Sequence, residues 1–264
     1  MVLEVHCLGT NGFHSTESSH TACYMIPSLG VIFDAGSGFF RVVDLIRKWD
    51  LEEVNIFMSH GHMDHIDGIH STLEIIEMTK CKKVNVFAEQ KVLNGIKTIF
   101  ADPFFPSLPP MNLIPLDLET FHEISLTCPN PNIENNCGNP TIEVKVNYFP
   151  LKHTTTCFGY VLEALGKRIA YVTDTSSNPC STYIKNLENL DTLFHEVHSI
   201  NEEQSVKFGH TDAENLAKVC NIVKPKKLVT IHHNPNGDRY EIVDFIKKEF
   251  CDVVAAEDKM IISI

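Results

Sequence analysis

The sequence predicts a layered α/β fold, and three observations lead to that reading. Short runs rich in Val, Ile and Phe recur along the chain, as at 54–58, 84–88 and 227–231. Between them lie segments whose apolar residues keep helical spacing, and such alternation is what sheets covered by helices require. The length of 264 residues is within reach of one large domain, taken as 1–264, with enough chain to bury most of what its unfolded state exposes.

In chain order, residues 2–9 read as a strand and 21–34 as a β-hairpin broken by Pro27, Ser28 and Gly30. Residues 39–49 space Phe40, Val43, Leu45, Ile46 and Trp49 as a helix does and lead into a strand at 54–58. A helix over 66–78 would pack Ile69, Leu73 and Ile76 with Ile66. A strand at 84–88, a helix at 89–99 and a strand from Asn112 follow. Residues 102–110 hold too much proline for a helix or central strand and too many aromatics for a flexible linker. They suggest an ordered loop over the site or against a partner subunit, so a homodimer is one arrangement considered. Residues 128–140 read as an exposed hairpin loop between strands near 121–127 and 141–149. Strands at 158–164 and 167–173, a helix near 179–188, a strand at 191–196, a helix at 212–223, a strand at 227–231 and a helix at 239–249 complete the pattern.

Composition narrows the function. The formal charge of −12 disfavours broad contact with nucleic acid or anionic membrane. Lys224-Pro225-Lys226-Lys227 is the best candidate for a local basic patch, open to two readings: an anion patch, or charges complementing a helix C-terminus. Nine cysteines, an odd number without CxxC spacing, argue against a disulfide framework and a structural zinc ribbon, and most of them read as small buried hydrophobes. No run of about 18 apolar residues and no signal-peptide pattern is found, so the expectation is a soluble cytoplasmic protein with no membrane partner.

The most informative stretch is Ser59-His60-Gly61-His62-Met63-Asp64-His65, directly after the apolar 54–58 run. Three imidazoles and a carboxylate within six positions suit borderline divalent ions, with His60 and His62 converging from alternate positions while Asp64 and His65 turn toward a second ion. The pattern resembles the metallo-β-lactamase superfamily. The resemblance extends from Leu8-Gly9-Thr10 and the Asp34-Ala35-Gly36-Ser37-Gly38 turn to residue 232, and implies a four-layer αββα sandwich.

The resemblance also implies further ligands in a fixed order, each after a β-like run. His153 follows 144–152, Asp174 follows 168–173, and His232 follows 228–231 with His233 as its rival. On that basis His60, His62 and His153 hold one ion, Asp64, His65 and His232 the other, and Asp174 bridges. A carboxylate suits the bridge because it offers two anionic oxygens. Two divalent ions, zinc with manganese or iron as alternatives, would hold a hydroxide between them as nucleophile, and Asp64 counts as catalytic as well as ligating.

Within the superfamily, the di-iron oxygen-handling branch places a carboxylate where this chain has His62, and the β-lactamase branch tends to a cysteine in place of Asp174. Phe194-His195-Glu196 and Gly209-His210-Thr211 instead resemble elements of transfer-RNA 3′-processing endonucleases (ribonuclease Z-like) and related phosphodiesterases. There His210 would protonate the leaving alkoxide and Glu196 would orient it. The other readings are a strand-end Glu196 in solvent and a His210 that caps the helix starting at Asp212. One departure is the missing Gly-Pro- and Lys-rich arm that grips tRNA. The leading function is therefore a dinuclear phosphodiesterase on nucleotide, cyclic-nucleotide or nucleic-acid phosphodiesters, its partner being a small phosphodiester or nucleic-acid end. A thioester or lactone hydrolase and a metal-bound non-catalytic binding module are the alternatives.

Overall fold

The computed structural model describes residues 2–117, 122–129 and 141–264. One sheet contains β1 (Glu4–Gly9), β2 (Cys23–Ile26), β3 (Val31–Phe33), β4 (Glu53–Phe57), β5 (Lys83–Glu89), β6 (Asn112–Leu116) and β14 (Ile261–Ser263), in the order β14-β1-β2-β3-β4-β5-β6. The other contains β7 (His122–Pro129), β8 (Thr141–Leu151), β9 (Cys157–Ala164), β10 (Lys167–Val172), β11 (Thr192–Glu196), β12 (Lys227–Ile231) and β13 (Val253–Ala255), in the order β13-β12-β11-β10-β9-β8-β7. Each sheet is antiparallel up to its fourth strand, β3 or β10, and parallel beyond it.

Side-chain alternation builds the layers. In β10, Ile169 and Tyr171 enter the core between the sheets, while Ala170 and Val172 face the outer layer. In β4, Phe57 points inward and Val54 and Ile56 outward. Burial on both faces explains why these parallel strands read as continuous apolar runs. The outer face of the first sheet is covered by α1 (Val42–Trp49), α3 (Thr72–Met78) and α4 (Gln90–Ile99). The second is covered by α6 (Ala213–Val223), α7 (Arg239–Ile246) and a 3-10 turn at Thr182–Asn186. The result is the four-layer αββα sandwich.

Several expected elements differ in detail. The 66–78 helix is divided into α2 (Met63–Ile66), a 3-10 turn at Asp67–Ser71 and α3. A 3-10 turn has three residues per turn and shifts the helical phase, so Ile75 is fully buried while Leu73 and Ile76 are half-buried. The helix near 179–188 is only the turn at Thr182–Asn186, and α7 stops at Ile246. Cys128 belongs to the end of β7 and is buried, not in a loop; the rest of the expected hairpin loop, 130–140, lies outside the described residues. The 102–110 segment does not lean over the candidate site. Phe105 and Leu108 pack onto the outer core of the first sheet, where the Phe105 ring meets Phe100 and His70. Three elements were not read from the sequence: α5 (Glu202–Lys207), β13 and β14.

Eight described cysteines carry free thiols, six of them buried and Cys180 and Cys251 exposed. Among the described residues no helix is long and apolar enough to cross a membrane.

Candidate metal centre

Register sets the site. Phe33 pairs with Phe57 and Phe57 with Phe87, so β3 and β4 end level while β5 runs two residues further to Glu89. In the other sheet Val172 pairs with His195 and Glu196 with Ile231, so β10, β11 and β12 also end level. Residues just past these ends therefore meet at one rim, the usual place for a site in parallel sheets.

From the first sheet the chain leaves β4 through Ser59, His60 and Gly61 and enters α2, with His62 as its N-cap residue. One turn of α2 carries Asp64 and His65 back toward the rim. From the second sheet, His153 follows β8, Asp174 follows β10, Glu196 ends β11 and His232 follows β12. Two donor groups draw on the expected ligands, each with atoms within 4.8 Å of one another: His60, His62, His153 and Asp174, and Asp64, His65 and His232; a third set at the same spacing joins Asp174, His210 and His232.

Asp174 faces both groups with different oxygens. Its Oδ2 lies 3.7 Å from His60 Nε2 and 3.6 Å from His153 Nε2. Its Oδ1 lies 3.3 Å from His65 Nε2 and 3.1 Å from His232 Nε2. The nitrogens crowd too, with His60 Nε2 at 2.9 Å from His62 Nδ1 and His65 Nε2 at 3.1 Å from His232 Nε2.

Supporting hydrogen bonds fix which nitrogen is free. Buried Asp34 accepts from Ser59 N–H (2.7 Å), Ser59 Oγ–H (2.8 Å), Tyr171 O–H (2.7 Å) and His65 Nδ1–H (2.8 Å). With its hydroxyl hydrogen given to Asp34, Ser59 Oγ accepts from His60 Nδ1–H at 3.0 Å. His153 Nδ1–H donates to the carbonyl of Gly209 at 3.0 Å, a residue whose φ of 78° favours glycine. Each of these three imidazoles thus engages its Nδ1 away from the centre and turns its Nε2 toward it, the nitrogen a metal would take.

Electrostatics agree with that donor set. Burial and neighbouring imidazoles lower His60 well below its usual pKa and lower His62, while burial lowers His153. Asp174 is held well below the carboxylate range, because His232, His65 and His60 outweigh its burial. Burial would lower His65, but Asp64, Asp174 and Asp34 raise it well above 6.5. Neutral His60, His62 and His153 beside an ionised Asp174 suit a divalent cation, and the carboxylates around His65 favour a positive charge there that a bound cation would supply instead.

His210 lies beside the cluster. Its Nδ1 is 3.4 Å from Glu196 Oε1, and its ring stacks on His198 at 5.0 Å and on His232 at 5.4 Å. Glu196 is fully buried rather than solvated, and its Oε1 also accepts the N–H groups of Thr175 (3.1 Å) and Thr211 (2.9 Å). Burial opposes a charged His210, yet Glu196 and Asp174 lift it to about 9. It does not cap α6: Asp212 does, accepting from Asn215 N–H.

His233 sits fully buried behind the site and belongs to neither donor group; burial takes it down to about 3. His195 is also turned away, its Nε2 meeting the hydroxyl of Tyr183 at 2.8 Å. Sequence reasoning missed two contributors. Asp34 was noted only as part of a turn, although its place after a strand and before Ala35-Gly36 signals a strand-end group. His198, two residues beyond Glu196, lines the cavity with no motif to mark it.

The cluster opens into a cavity of about 420 Å³ lined by residues that include His62, Asp64, His153, Asp174, His210 and His232. Residues 30–233 match the beta-lactamase superfamily domain. The chain belongs to that family. It is 32% identical to ribonuclease Z of Sulfurisphaera tokodaii over 37% of this chain, and that match spans only 33% of the relative's length. It is 21% identical to ribonuclease Z of Pyrococcus horikoshii across 94% of this chain and 90% of that protein. The crystal structure of the metallo-beta-lactamase fold protein YhfI from Bacillus subtilis covers all of both chains at a TM-score of 0.76 and 15% identity. Family membership and these relatives make the protein a metal-dependent hydrolase.

Proposed function

We propose that this hydrolase is a two-metal phosphodiesterase of the ribonuclease Z-like branch, acting on phosphodiesters of nucleotides or nucleic-acid ends. The observation that carries the reading is the His210–Glu196 pair at 3.4 Å, set beside the donor cluster in the same cavity. His60, His62, His153 and Asp174 would hold one divalent ion, and Asp64, His65 and His232, with Asp174 shared, would hold the second. Zinc suits the donors, as do manganese and iron. When bound, the ions supply positive charge for phosphate oxygens and acidify a water enough for attack at neutral pH.

Bond breaking leaves an alkoxide, a poor leaving group without a proton. His210, charged through Glu196, is placed to give that proton from the cavity wall, and Glu196 acts by positioning it. A thioester needs no such acid, because a thiol of pKa about 8.5 leaves far more easily. Only eleven residues, 101–111, join Phe100 to β6, and they pack outward, so substrate grip falls to the cavity rim. The free thiols suit a reducing, cytoplasmic setting.

The test pairs metal analysis with a panel of bis-p-nitrophenyl phosphate, a cyclic nucleotide, a precursor tRNA and a thioester. Two metals per chain and turnover confined to phosphodiesters support the reading. Faster thioester than phosphodiester hydrolysis rejects it.

A further inference from the structure

The cavity rim has two features that metal chemistry does not need. Phe13 leaves 80% of its surface in water and Phe208 leaves 54%, and both line the cavity beside the donor cluster. Exposed apolar surface gathered at one cleft marks a binding surface, where scattered exposed residues do not. Phe13 has a φ of 62°, an unfavourable conformation for an aromatic residue, and such strain persists only where the surroundings enforce it.

Here the surroundings are the cluster itself. Phe13 N–H donates to Asp64 Oδ2 at 2.7 Å, and Gly12 N–H donates to the His233 carbonyl at 2.9 Å. A Cβ on Gly12 would fall 2.2 Å from the His232 ring, so glycine is what lets this loop press on that imidazole. Phe208, at the end of α5, is joined to the cluster from the other sheet: its ring lies 5.8 Å from His198, which stacks on His210.

We infer that Phe13 and Phe208 seat a nucleobase of the substrate next to the scissile phosphate, an inference that rests on the phosphodiesterase reading. The cavity's volume falls within the roughly 300–1,000 Å³ that small ligands occupy. Asn236 on the same rim offers an amide to a base edge. A net charge of −12 gives a nucleotide no general electrostatic attraction to the chain, whereas stacking on a ring needs no charge and accepts any base.

The experiment measures binding to the metal-loaded protein by calorimetry, with thymidine 5′-monophosphate, hexyl phosphate and methyl phosphate as probes. The nucleotide should bind more tightly than both others. Phe13→Ala and Phe208→Ala should each shrink that margin by roughly fivefold or more, the effect of losing one stacking partner, and Phe13→Tyr should keep it. The inference is overturned if nucleotide and methyl phosphate bind alike, if hexyl phosphate matches the nucleotide, or if the margin survives both alanine variants. Hydrolysis of methyl p-nitrophenyl phosphate by the unaltered protein judges the phosphodiesterase reading separately, since that ester needs no base seat.

Discussion

The two sheets share one strand plan but furnish the centre differently. Asp34 and Asp174 follow β3 and β10, the fourth strands of their sheets. The first stands behind the cluster and pins His65; the second faces both donor groups. At the next equivalent pair, β4 runs on into the 60–65 segment while β11 ends in the buried Glu196. At the third, β5 ends in Glu89, which caps α4, and β12 is followed by His232. One half thus concentrates four donors in a single turn, and the other sends one functional group from each of several strand ends. Even the concentrated set divides two and two between the donor groups, and each group is completed from the second sheet. A dispersed set works only once the second sheet is assembled, so it couples the chemistry to the fold.

The largest effect that would break this comparison is at the shared carboxylate. Asp174→Ala should bring turnover to background and reduce metal content below two per chain, with circular dichroism unchanged; elemental analysis checks it, and full metal content with full activity refutes it. At its counterpart, Asp34→Asn keeps the shape but weakens the hold on His65 Nδ1. A loss of metal affinity of roughly 10–100-fold is expected for such a supporting residue, measured by competition with a chelator.

The neighbours after β12 sharpen the comparison further. His232→Ala should abolish most activity, whereas His233→Gln should spare it, because only the first reaches the donor group. His233 should act on stability instead. Its pKa of about 3 in the folded chain lies below the ordinary 6.5, so the fold favours the neutral form. That stability is fully present above pH 6.5 and lost as pH falls from there toward 3. Between pH 7 and pH 5 the loss is about 2 kcal/mol, and urea unfolding of His233→Gln should show a pH slope shallower by that amount.

What the sequence revealed follows the same division. The 60–65 segment was readable because its donors are neighbours in the chain and the run before it is mostly apolar. His153, Asp174 and His232 were located by their order at strand ends, and the structure brings them to the same rim. Asp34 escaped because a second supporting shell leaves no spacing to read. His198 and Phe208 flank α5, a six-residue polar helix whose exposed face carries no periodic signal. β13 and β14 have three residues each, too few to show alternation. The 102–110 loop packs on the outer core through Phe105 and Leu108, with Phe105 meeting Phe100 and His70, partners that its own composition did not name.

The most direct test of the proposed chemistry compares two substrates in one variant. His210→Ala should slow hydrolysis of a phosphodiester with an alkyl leaving group by roughly 10²–10⁴-fold, and scarcely slow one whose p-nitrophenolate leaves unaided. His210 also lies within ligand distance of Asp174 and His232. An equal loss on both substrates would make it a metal or folding residue and contradict its role as the acid.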